Sequence, residues 1–136
     1  VKDMNNYNTF IEVAADCPVG VAQIPVTKGE TKTIPVLQYE LIANHPYKYT
    51  QEDVLFEVYA LRNQIPDEQR QAAREKFFSK GQPCLRTSSL CKRYGWGIHH
   101  DAQGKVALYA VESDEYKEFV NDNGIKNVKA MRSSRA

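Results

Sequence analysis

Cysteine is scarce and odd in number: Cys17, Cys84 and Cys91 are the only three in 136 residues. A secreted disulfide scaffold carries more, at paired spacings, so the expected state is three reduced thiols. No apolar run approaches the ~20 residues of a membrane-spanning helix. Residues 1–9 are polar and hold no apolar signal segment, and the expected setting is the cytoplasm. Seven glycines and six prolines are too few for a collagen-like or low-complexity chain. There is no internal repeat.

What remains is ordinary soluble composition, 42% apolar and 26% charged. The length suits one domain and needs neither metal nor disulfide to bury a core. That domain is read over residues 4–132. Residues 1–3 precede Met4 and read as an expression remnant or a different start, and 133–136 as a flexible tail.

Residues 8–14 (NTFIEVA) read as a short strand, ended by Asp16-Cys17-Pro18. A long loop follows to Thr33. Thr33 caps a helix with Pro35 in its first turn, Ile34, Leu37 and Leu41 on one face, and His45-Pro46 as its stop. Thr50-Gln51-Glu52-Asp53 is a capping box with Asp in place of Glu, ahead of Val54, Leu55, Val58 and Leu61 at helical spacing. A third helix runs from Pro66 to Gly81, with Ala73 and Phe77 one turn apart.

Residues 94–100 (YGWGIHH) and 105–111 (KVALYAV) alternate as strands, and Asp101-Ala102-Gln103-Gly104 turns them into a hairpin. On the first of them Tyr94, Trp96, Ile98 and His100 share one face, and Gly95, Gly97 and His99 the other. Trp96, Ile98 and Leu108 are expected in the core. The two glycines leave room for a helix to approach closely. Ser113 caps a helix with Tyr116, Phe119 and Val120 inward, and residues 125–131 form a last strand. The expected class is α+β: a mostly antiparallel sheet with helices on one face, ferredoxin-like with extra helices.

Residues 84–101 gather two cysteines, two histidines and the single tryptophan. Six residues separate Cys84 from Cys91, which matches no zinc spacing, and adjacent His99 and His100 on a strand face opposite ways. No metal and no cofactor are expected. Cys84 or Cys91 with His99 is an alternative as the nucleophile and base of a small hydrolase or transferase. Neither a nucleophile elbow nor a cysteine-protease signature is present. Lys92-Arg93-Tyr94-Gly95-Trp96 resembles the aromatic–glycine–aromatic core of the RNA-recognition motif. That gives single-stranded nucleic-acid binding as a second alternative, weakened because the echo sits on the wrong strand.

Charge is unevenly spread. Residues 1–122 carry a net −3, and the acid-free tail adds four basic residues. From Lys76 to Lys105 six basic residues face one acid, Asp101. Arg86, Lys92 and Arg93, with His99 nearby, form a candidate site for one compact phosphate or carboxylate. The leading expectation is therefore a non-catalytic binding or interaction module for a small anionic ligand, away from membranes.

Five segments also carry a family resemblance. They are N-T-F-I-E-V-A-x-D-C-P (8–18), L-Q-Y-E-L (37–41), P-Y-K-Y-T-x-x-D-V-L-F-E-V (46–58), K-R-Y-G-W-G-I-H (92–99) and G-K-V-A-L-Y-x-V-E-S-x-E-Y (104–116). Together they resemble a family of small bacterial proteins catalogued as a domain of unknown function. The resemblance implies one intact domain and a bacterial cytoplasmic setting, and it carries no mechanism.

Overall fold

The computed structural model describes residues 4–27 and 29–133. The expectations for residues 1–3 and 134–136 lie outside the described residues. Strand β1 (Thr9–Glu12) leads through a long loop to helices α1 (Ile34–Asn44) and α2 (Gln51–Arg62). A 3-10 turn at Asp67–Gln69 then opens α3 (Arg70–Phe78), and a second one at Leu85–Thr87 precedes the short α4 (Ser89–Lys92). The hairpin β2 (Trp96–His100) and β3 (Val106–Ala110), then α5 (Asp114–Val120) and β4 (Lys126–Lys129), complete the chain. The α+β class and the strand–helices–hairpin–helix–strand order are as the sequence reads.

The path through the sheet differs from a ferredoxin-like one. The strands lie in the order β3-β2-β1-β4. β1 pairs antiparallel with its hairpin neighbour β2 and parallel with β4. In the ferredoxin-like arrangement every neighbouring pair would be antiparallel, and the second hairpin strand, not the first, would lie next to β1. Here α5 carries the chain back across β2 and β1 to the far edge.

Helices cover both faces, not one. Adjacent Phe10 and Ile11 are each fully buried, which on a strand requires cover on both sides. Ile11, Ile98 and Val106 join Ile42 of α1, Val54 of α2, and Leu90 and Cys91 of α4 in the main core. Phe10 turns the other way, with its ring centroid 5.0 Å from Tyr116 and 4.9 Å from Phe119 of α5. Gly97 makes that approach possible. A Cβ there would lie 2.5 Å from Phe10 Cζ and 2.7 Å from Tyr116 Cε2.

Local capping follows the sequence. Thr50 Oγ1 accepts the Asp53 amide at 3.2 Å, and Asp53 Oδ2 accepts the Thr50 amide at 3.1 Å. Ser113 Oγ accepts the Tyr116 amide. The hairpin turn closes with Gly104 at φ 80° and its amide on the Asp101 carbonyl. Some inward faces shift. Leu61, Val120 and Ile34 are exposed, while Phe56 is buried beneath α3 against Phe77. Trp96 and Leu108 are half-buried beside the core, whereas Ile98 lies fully inside it.

Both sheet edges are occupied. Tyr47, with φ 60°, donates its amide to the Val106 carbonyl, and Val106 donates back to Tyr49 along the outer side of β3. Beyond β4, Arg86 Nε donates to the Lys129 carbonyl, and Met131 donates to the Arg86 carbonyl. The Ser133 amide reaches the Asp16 carboxylate, which ties down the start of the expected tail. No helix among the described residues is long and apolar enough to cross a membrane.

Candidate functional site

The loop before α1, the facing sides of α1 and α2, the end of α3 and residues 82–89 enclose a cavity of about 770 Å³. Ile34 and Pro35 of α1, Leu55, Val58 and Tyr59 of α2, Phe77 of α3 and Pro83 give it apolar walls. This is the size and lining of an ordinary small-molecule site. α1 and α2 pack against one another on the sheet. α3 has no buried residue of its own and packs on α2 through Phe77 against Phe56 and Tyr59, so its end forms one wall of the space.

Polar groups enter at two depths. Lys32 and Arg62 are exposed at the cavity's margin. Lys32 holds Glu40 at 2.8 Å, a surface pair worth little. Arg62 has no ion-pair partner among the described residues. Thr33 at the α1 N-terminus makes no side-chain cap, so the positive end of that helix dipole meets the same margin. Deeper in, Gln38 and Ser88 are 5% and 6% exposed, and Ser88 Oγ donates to Gln38 Oε1 at 2.6 Å. No Asp, Glu or His is among the described residues lining the cavity. Those lining residues therefore include neither a carboxylate nor an imidazole to act as general base.

The four anion-site candidates are placed elsewhere, and none lines the cavity. Arg86 is spent on the Lys129 carbonyl at the β4 edge. Lys92 closes α4, and exposed Arg93 follows as its C-cap. His99 lies further along β2 and faces α5, stacked on Phe119 at 4.2 Å. Its Nδ1 is 2.9 Å from the Tyr47 hydroxyl, which in turn lies 2.7 Å from that of Tyr109. Burial lowers the His99 pKa against the pull of Asp101 and Asp122, so the ring is neutral near pH 7. Burial likewise raises the Tyr47 pKa.

The sheet separates the proposed nucleophiles from their base. Cys91 is fully buried in the core on the face opposite His99, and burial pushes its thiol pKa far up. Cys84 lines the cavity, on the α1–α2 side. All three cysteines are free. Among the described residues no three His, Cys, Asp or Glu side chains gather as a metal set would. Trp96 is held by its Nε1–H on the Gln23 carbonyl at 2.8 Å and by Tyr39, 5.4 Å away between ring centroids.

A family model matches residues 1–136, the whole chain, under the description "family of unknown function (DUF6157)". The chain belongs to that family. Among curated proteins and solved structures nothing matches it. Membership thus agrees with the resemblance read from the five sequence segments and brings no residue roles.

Sequence reasoning missed the cavity. Its lining comes from residues 31–38, 55–63 and 77–89, which no single motif joins. Gln38 reads in sequence as one polar residue on a helix. Nothing local marks it as buried, because its partner Ser88 lies 50 residues further along the chain.

Proposed function

We propose that this protein is a non-catalytic binding module for a small amphiphilic anion, such as a medium-chain carboxylate, held in the α1–α2 cavity. The observation that carries the reading is a cavity of about 770 Å³ with apolar walls, two cations and no acid among its described lining residues. The apolar body of the ligand would leave water against Leu55, Val58 and Phe77. Its charged end would meet Arg62, Lys32 and the start of α1, where a planar guanidinium suits a carboxylate. The absence of an acid or imidazole in the lining supports binding over hydrolysis. Three free cysteines support a reducing, cytoplasmic setting.

Isothermal titration of octanoate and 1-octanol at low salt tests this. Octanoate is expected to bind the wild type more tightly than the alcohol. Arg62→Ala should weaken octanoate by about tenfold and leave the alcohol unchanged. Equal affinity for the two compounds, or an Arg93→Ala effect in place of the Arg62→Ala one, overturns the reading.

A further inference from the structure

We infer that Gln38 is a specificity-determining residue of this cavity, donating from Nε2 to an oxygen acceptor on the apolar body of the ligand, with Ser88 as the positioning residue that aims it. The inference rests on the cavity being the binding site, as proposed above. It narrows the ligand class to medium-chain carboxylates with a second oxygen, an oxo group above all, on the chain.

Ser88 Oγ accepts the Leu90 amide at 3.1 Å and donates to Gln38 Oε1 at 2.6 Å. Nε2 is the other end, and neither of its two N–H groups has a protein partner among the described residues. Gln38 is only 5% exposed and lines the cavity. Its remaining access to solvent is through that space.

An apolar ligand that displaces water from that space leaves the Nε2 donor unpaired, a cost that a ligand oxygen relieves and a methylene does not. Sites built to hydrogen-bond a substrate oxygen discriminate strongly against the analogue that lacks it. Lys32 and Arg62 are exposed at the margin while Gln38 is buried, so the second oxygen is read away from the charged end of the ligand.

The probes are octanoate and 7-oxooctanoate, matched in length. The wild type is expected to bind 7-oxooctanoate about tenfold more tightly. Gln38→Met keeps the side-chain shape and should abolish that preference, bringing the two dissociation constants together. Ser88→Ala frees the amide to turn over. It should shrink the ratio of the two dissociation constants, which a purely structural role for Ser88 would not do. Side-chain amide NMR of the wild type requires no variant. The Gln38 Nε2 protons should shift downfield with 7-oxooctanoate and not with octanoate. If octanoate binds in the cavity and the oxo acid binds equally well with no Gln38 shift, the inference is wrong while the cavity reading stands. If neither acid binds, the cavity reading is wrong and the inference goes with it.

Discussion

His100 is fully buried, and neither of its ring nitrogens has a hydrogen-bond partner of ordinary geometry among the described residues. Burial holds its pKa down to about 4, although the backbone at Ile98 and Thr9 and the charge of Asp101 favour the proton. The unfolded ring titrates near 6.5, so the unfolded chain takes up a proton first as pH falls. The stability this neutral ring preserves is complete above pH 6.5 and is lost progressively toward pH 4, by about 3 kcal/mol. His99 is shifted the same way and adds to the loss. Urea unfolding across that window should show the decline, and His100→Leu should flatten it. A wild-type stability that stays constant from pH 6.5 to 4.5 would contradict the burial. Gly97 is the other decisive single position. Gly97→Ala places a methyl against Phe10 and Tyr116, two rings anchored in the body of the protein, with the Tyr116 hydroxyl accepting the Val13 amide. The expected loss is about 1–3 kcal/mol by chemical denaturation. A neutral substitution would mean that α5 does not sit on β2.

At the scale of elements, what was legible in the sequence was local. Thr50 and Asp53 announce α2 because both halves of the box lie within one turn of chain, and the structure contains both hydrogen bonds. Thr50→Ala should cost about 1 kcal/mol, seen as a lower urea midpoint with an unchanged slope. Asp53→Ala tests more than the cap, since Asp53 also holds Arg74 at 3.0 Å. The hairpin was legible for the same reason, with Gly104 free to take positive φ and Asp101 Oδ1 gathering the Gln103 and Lys105 amides. Faces of helices were less legible. Phe56 breaks the expected stripe of α2 because a third helix covers it, and helical spacing does not announce a second neighbour. Strand order was hidden for a stronger reason. Whether β4 returns beside β1 or elsewhere depends on how α5 crosses the sheet, and the adjacent pair Phe10–Ile11, with Gly97 on the far face of β2, was the local sign of two covered faces.

At the scale of the whole molecule, the sheet divides the protein into two sides with different contents. The α5 side is an aromatic layer in which His99 and Tyr109 are already engaged, the first with Phe119 and Tyr47, the second with Tyr47. The other side carries the main core and, outside it, the cavity between α1, α2 and the end of α3. The basic stretch noticed in the sequence is distributed across this division, with Arg86 at one sheet edge and His99 facing α5. That distribution is why charge counting alone pointed to Arg86, Lys92, Arg93 and His99, while the enclosed space belongs to Lys32, Arg62 and Gln38. The most direct measurement is a backbone amide chemical-shift titration of the full chain with octanoate at low salt. The account predicts saturable shifts centred on Ile34, Gln38, Leu55, Val58 and Ser88. Shifts confined to Lys92, Arg93 and His99, or none at all, would contradict it.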